Sequence, residues 1–177
     1  EYIAEGEVAP PPEPTADVPP SQATMSLETD SEESLPEALS VLFVDDDFIL
    51  RKLFIRSLKR CRPDWEVCEA ASGEAALQLV EDRGPDKPFD IIFMDQYMAS
   101  TQKQLLGTET VRELRSRGMN GVICGLSAND IGSQFAEAGA DCFIMKPLPC
   151  EKEALSVELM RILNSRGNSA AGDDNRV

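Results

Sequence analysis

The sequence predicts an α/β domain with a doubly wound parallel sheet, and three observations carry that prediction. Five short apolar runs, at 41–44, 66–70, 90–94, 122–126 and 141–145, alternate with stretches of helical periodicity. Each run is bounded by Pro, Gly, Asp or Ser and is too short for a helix. Most are apolar throughout rather than alternating, as strands covered on both faces must be.

The helical stretches follow from apolar residues at three- and four-residue spacing. The first carries Ile49, Leu50, Leu53, Phe54 and Leu58, and the second Ala75, Ala76, Leu79 and Val80. The third has Val111 and Leu114, and the last has Leu155, Leu159, Ile162 and Leu163. The fourth, Asn129 to Ala138, shows the weakest pattern. Ser72 and Asn129 stand where N-caps are expected, and Gly84, Gly118 and Gly139 where helices should stop. Five such βα units give a flavodoxin-like domain of strand order 2-1-3-4-5, with its ligand site at the carboxyl ends of the strands.

The chain of 177 residues divides unevenly. Residues 1–40 contain seven prolines and ten acids but no Lys or Arg, supplying −10 of the formal charge of −15. Such a segment cannot offset its ordering entropy, so it reads as a disordered, self-repelling linker. The core-building part runs over 41–165, and 166–177 reads as a second small, polar tail. An acidic balance repels phosphate backbones, which excludes nucleic acid as a direct partner. Neither a secretory leader nor an apolar run of membrane-spanning length is present, so the expectation is a cytoplasmic domain without membrane contact.

Five cysteines at irregular spacing, without CxxC, read as small buried hydrophobes in a reducing compartment. The chain has no histidine. This removes Ser/His/Asp and Cys/His catalysis and every His-ligated metal site.

The strand ends concentrate the chemistry. VLFV runs into Asp45, Asp46 and Asp47; IIFM into Asp95; VICGL into Ser127; FIM into Lys146-Pro147. In a parallel sheet these ends lie on one edge, so residues a hundred positions apart converge. Carboxylates a few ångströms apart repel by roughly 4 kcal/mol per pair at an effective dielectric near 20, so a positive charge must sit among them. All-oxygen ligands without His or Cys suit a hard cation such as Mg²⁺. That cation and one Lys can neutralise a phosphoryl group in transfer, a hydroxyl can donate to it, and Asp95 is the free nucleophile. Taken singly, an Asp run reads as a turn or helix cap, Ser127 as a cap, Lys146 as a surface charge and Phe143 as a core aromatic. Their joint placement, in the order acid pair, Asp, Ser, Lys, is what points to phosphoryl chemistry.

Over Val41 to about Leu163 the sequence resembles the response regulator receiver domains. VLFVDDD resembles the first strand and acidic pair of that family, IIFMD its phosphoacceptor strand, GLSAN its hydroxyl-Ala motif and FIMKP its aromatic-x-x-Lys-Pro. The resemblance implies phosphorelay signalling. A phosphohistidine on a histidine kinase or histidine phosphotransfer protein donates to Asp95. Mg²⁺ is held by Asp45, Asp46, Asp95 and the main-chain carbonyl of Tyr97. Ser127 and Lys146 bind the phosphoryl group, and Phe143 turns inward behind Ser127 as the switch. It also implies a regulatory domain that catalyses only its own phosphorylation and dephosphorylation. An acidic, Pro-rich leader before a receiver resembles the linker of a hybrid histidine kinase. The sequence departs from the family in the loop after Asp95, where Thr101–Gln104 are inserted before Gly107.

Two other readings compete. Asp45-Asp46-Asp47 also satisfies the Asp-x-Asp of a haloacid dehalogenase-type phosphatase, which would need a further acidic pair on a later strand. A receiver-shaped interaction module that is never phosphorylated would not need the acid pair, Asp95, Ser127 and Lys146 together. Arg51, Lys52, Arg56, Lys59 and Arg60 make the first helix the most basic stretch and the expected docking surface for the donor.

Overall fold

The computed structural model describes residues 34–98 and 105–169, with side chains as far as residue 166. The leader up to Glu33, the loop residues 99–104 that include the insertion, and the tail beyond Ser169 lie outside the described residues. The element order is β1 (Ser40–Val44), α1 (Phe48–Cys61), β2 (Glu66–Ala70), α2 (Gly73–Arg83), β3 (Ile91–Asp95), α3 (Gly107–Ser116), β4 (Val122–Ser127), α4 (Gly132–Ala138), β5 (Cys142–Met145) and α5 (Lys152–Ser169). All strand pairs are parallel, in the order β2-β1-β3-β4-β5, the doubly wound arrangement expected from the sequence.

The period of two along each strand sorts the core into two layers. Val41, Phe43, Ile91, Phe93, Cys124 and Leu126 face Phe54 and Leu58 of α1 and Leu155, Leu159 and Ile162 of α5. Leu42, Val44, Ile92, Met94 and Ile123 face Ala76 and Leu77 of α2, Val111 and Leu114 of α3, and Phe135 of α4. Phe43, Phe54 and Phe93 cluster at 4.4–6.0 Å between ring centroids. Packing also takes in the chain ahead of β1. Leu35 is buried, and the Trp65 indole N–H donates to the Pro36 carbonyl at 3.0 Å.

The helix boundaries show which local signals decided them. Ser72 caps α2 by accepting from the Ala75 N–H, and Asp47 caps α1 by accepting from Ile49 and Leu50. Helix stops at Gly84 and Gly139 use φ of 73° and 100°, which only glycine adopts without strain. The fourth helix begins at Gly132 rather than Asn129, with Ile131 as an N-cap that offers no side-chain bond. Asn129 is occupied elsewhere, its N–H donating to Ser127 Oγ at 3.2 Å. α5 continues to Ser169, four positions beyond Ser165.

One expectation about packing is corrected. Ile49 and Leu53, read as part of the buried stripe of α1, are 67% and 52% exposed, and Phe48 beside them is 59% exposed. The helix carries two apolar stripes, and only the one through Phe54 and Leu58 meets the sheet. On α2 the core position belongs to Leu77, while Ala75 faces solvent.

Candidate functional site

The carboxyl edge of the sheet gathers the residues that end β1, β3, β4 and β5. Asp45 follows β1 directly, Asp95 is the last residue of β3, Ser127 the last of β4, and Lys146 follows β5. One oxygen each from Asp45, Asp46 and Asp95 lies within 4.8 Å of the others. Asp45 and Asp95 are buried, and Asp46 is the most open of the three.

Lys146 Nζ lies 2.6 Å from Asp45 Oδ2 and 2.8 Å from Asp95 Oδ1, so one ammonium is shared by two buried carboxylates. Burial pushes the Asp95 carboxyl above its ordinary range; Lys146 works against this, and the Asp45 charge adds to it. Burial works against the Lys146 charge, but the hydrogen bonds and charges of Asp45 and Asp95 outweigh it and raise its pKa. Ser127 is buried, its hydroxyl accepting from Asn129 N–H while its carbonyl accepts from Lys146 N–H at 2.8 Å.

Several groups to which the sequence reading gave another role or none hold this edge in place. Arg51 turns inward instead of facing a partner: its Nη1 donates to the Asp45 carbonyl at 2.6 Å and its Nε pairs with Glu69. The Asp47 N–H donates to Asp45 Oδ1 at 2.9 Å. Beyond Asp95, Gln96 is buried, its Oε1 accepting from Thr108 N–H at 3.0 Å and its carbonyl from Gly107 N–H at 2.9 Å. A Cβ on Gly107 would lie 2.2 Å from the Asp95 carbonyl oxygen, so glycine is what lets α3 start against the acceptor strand. A long side chain that bonds to backbone leaves no periodic trace in sequence, and Gly107 stood out only as the resumption of a motif after the insertion.

The other expected residues sit as follows. Tyr97 is 56% exposed at the start of the loop after β3. Phe143 is half-buried, its ring 5.8 Å from that of Phe135 on α4 and against Gly132. Asp47, which the phosphatase reading requires in the cluster, is spent on capping α1. Of the five cations expected on the docking helix, Arg51 is buried, Lys52 pairs with Glu69 at 2.6 Å and Lys59 donates to the carbonyls of Pro63 and Trp65; Arg56 and Arg60 are exposed.

The donor set fits a hard divalent cation: three carboxylate oxygens converge, with no nitrogen or sulfur among them. Among the described residues no helix is long and apolar enough to cross a membrane.

Comparison with known proteins gives a consistent picture. The profile of the response regulator receiver domain matches residues 41–158. The two-component response regulator ORR41 of Oryza sativa is 32% identical over 127 residues, covering 70% of this chain and 95% of that protein. Histidine kinase CKI1 of Arabidopsis thaliana is 40% identical over 125 residues, which cover 61% of this chain but 11% of that much longer protein. Among solved structures, the chemotaxis response regulator CheY4 of Vibrio cholerae superposes with a TM-score of 0.59 at 27% identity, covering 71% of this chain and 99% of that one.

Proposed function

The chain belongs to the response regulator receiver family, and on that premise we propose that Asp95 accepts a phosphoryl group from a phosphohistidine donor in a Mg²⁺-dependent phosphorelay step. Receiver domains take this group from histidine kinases and are regulatory rather than catalytic. An acidic triad such as Asp45, Asp46 and Asp95 is typical of their Mg²⁺ site. The observation that carries the reading is the Lys146 ammonium 2.6 Å from Asp45 and 2.8 Å from Asp95, beside a third carboxylate.

In this reading an Asp95 carboxylate oxygen attacks phosphorus, the O–P bond forms, and the bond from phosphorus to the donor imidazole nitrogen breaks. Asp45, Asp46, Asp95 and the Tyr97 carbonyl hold Mg²⁺, which when bound neutralises charge building on the phosphoryl oxygens. Lys146 neutralises another of those oxygens without leaving its place between the carboxylates. The Ser127 hydroxyl releases the Asn129 N–H and donates to the phosphoryl group, and Phe143 repacks against α4 to alter the protein-interaction surface. The donor, a histidine kinase or histidine phosphotransfer protein, docks on α1, where exposed Phe48, Ile49 and Leu53 lie among Arg56 and Arg60. Apolar contact there supplies affinity and the two cations speed encounter.

The sequence context that best fits is a receiver carried by a hybrid histidine kinase, which the acidic leader and the 40% identity to Histidine kinase CKI1 support. A separate response regulator is the second reading, favoured by the 95% coverage of ORR41.

The test is labelling with phosphoramidate or acetyl phosphate followed by intact mass. Gain of one phosphoryl group with Mg²⁺, its loss with chelator and its loss in Asp95→Asn are expected. Undiminished labelling of Asp95→Asn would move the acceptor elsewhere.

A further inference from the structure

The five cysteines divide into one facing pair and three separate thiols. Cys124 on β4 and Cys142 on β5 are register partners in the parallel ladder, both on the sheet face covered by α5. Neighbouring strands lie about 4.8 Å apart, and a disulfide accepts Cα separations of about 4.4–6.8 Å. By contrast the Cys61 thiol faces the Lys152 carbonyl at 3.6 Å, the Cys150 thiol faces the Leu148 carbonyl at 3.7 Å, and Cys68 packs on the opposite sheet face. All five are free thiols.

We propose that Cys124 and Cys142 are a peroxide-sensitive dithiol that closes to a disulfide between β4 and β5.

The two sulfurs are not equivalent. Cys124 is fully buried, whereas Cys142 lies on the edge strand and is partly open to solvent, so an oxidant from solution meets Cys142 first. The surroundings of Cys142 favour a thiolate: a hydrogen bond from Cys124 is foremost, burial opposes it, and the Ser165 hydroxyl and the Arg161 guanidinium of α5 add to it. Asp141 faces it too and works against ionisation. Burial is foremost in holding the Cys124 thiol well up in its protonated form, ready as the resolving partner.

The chemistry balances with hydrogen peroxide as the oxidant. The Cys142 thiolate attacks one peroxide oxygen; the S–O bond forms, the O–O bond breaks, and hydroxide leaves and takes up a proton. Cys124 sulfur then attacks the sulfenic sulfur of Cys142. The S–S bond forms, the S–O bond breaks, and the departing oxygen leaves as water with the Cys124 proton. The peroxide is reduced by two electrons and the two thiols supply them. The new bond lies in the strands that lead to Ser127 and Lys146.

The test uses the full 177-residue chain, fully reduced and then exposed to a small excess of hydrogen peroxide. Non-reducing peptide mapping should recover a Cys124–Cys142 link, titratable thiols should fall from five to three, and a thiol reductant should restore all five. Cys124→Ala should accumulate a Cys142 sulfenic acid trapped by dimedone, and Cys142→Ala should leave Cys124 unlabelled. Because the wild-type map stands without either variant, misfolding of a variant does not obscure the result. Oxidation first at Cys150, a link between two chains, or over-oxidised Cys142 beside reduced Cys124 would overturn the proposal. None of these readouts depends on phosphotransfer to Asp95.

Discussion

The two ends of the sheet use charge in opposite ways. At the end where the strands begin, Asp90, Asp141 and Arg115 each have their own dedicated partners. Asp90 accepts from the N–H and hydroxyl of Ser40 at 2.7 and 2.9 Å. Asp141 accepts from Arg115 at 2.6 Å and from Ile123 N–H at 2.7 Å, while Arg115 also donates to the carbonyls of Met119, Gly121 and Gly139. At the end where the strands finish, Asp45, Asp46 and Asp95 converge, and Asp45 and Asp95 share the ammonium of Lys146. The first end closes the fold with its own charges, and the second gathers an acidic triad typical of the Mg²⁺ site of receiver domains. The same sheet therefore gains stability at one edge and gives some up at the other, the usual cost of a preorganised site.

The largest effect expected from breaking this contrast is on the rate of phosphorylation. Lys146→Met removes the ammonium proposed to neutralise the developing phosphoryl charge, and should slow labelling by small donors on the order of 10²–10³-fold, the range typical of losing one such group. Single-turnover labelling followed by mass spectrometry measures it, and a rate near wild type would remove Lys146 from the reaction.

At the opposite end Arg115→Ala should do the reverse. It takes from Asp141 its charged partner and from three carbonyls the Arg115 donor, and should cost about 2–3 kcal/mol of stability. Urea unfolding measures that loss, and labelling of Asp95 at a temperature where the variant is folded should keep its wild-type rate.

A smaller effect follows from the raised pKa of Asp95, which burial causes. A carboxyl whose folded value lies above its ordinary 3.8 binds its proton more tightly in the folded state. Ionisation therefore costs stability, and that cost builds as pH rises from 3.8 through the raised value and is constant above it. In metal-free protein Asp95→Asn should raise Tm at neutral pH, and the gain should vanish as pH falls to 3.8 and below. A gain that grows toward acid would reverse the sign of the account.

The smallest effect is on the lifetime of the phosphoryl group. Tyr97 is exposed two residues past the acceptor, and a ring over the mouth of the site would hinder the water that must line up opposite the departing Asp95 oxygen. Tyr97→Ala should hasten loss of phosphate by roughly threefold, a barrier change of about 0.6 kcal/mol. Time courses of phosphoprotein mass with Mg²⁺ in excess would show it, and an unchanged or slower decay would make Tyr97 a loop contact only.

The contrast between the two ends also explains what the sequence could convey. Asp45, Asp95, Ser127 and Lys146 were legible because each ends its own strand, and parallel topology alone then forces them together. The two-layered core was legible for a similar reason, since short apolar runs alternating with helical periodicity call for a parallel sheet covered on both faces, and the strand order followed from likeness to the flavodoxin-like fold. The clamps were not. Arg51 on the Asp45 carbonyl, Gln96 on Thr108 and Arg115 on three carbonyls are long side chains whose partners are backbone atoms, set by tertiary geometry that no spacing encodes. The start of α4 was misread because Asn129 is a good cap by composition, yet its backbone turns to Ser127. The outward stripe of α1 was misread because Ile49 and Leu53 carry the same periodicity as Phe54 and Leu58, and periodicity does not say which stripe finds the sheet.

The measurement that tests this contrast most directly is the thermal stability of the wild-type protein with and without Mg²⁺. If the strand-end carboxylates form a divalent-cation site, Mg²⁺ at about 100 times its Kd should stabilise the wild type by about 2.7 kcal/mol. Arg115→Ala should retain that gain, and Asp45→Asn and Asp95→Asn should lose most of it. No stabilisation of the wild type, or an equal gain in Asp45→Asn, would contradict the account.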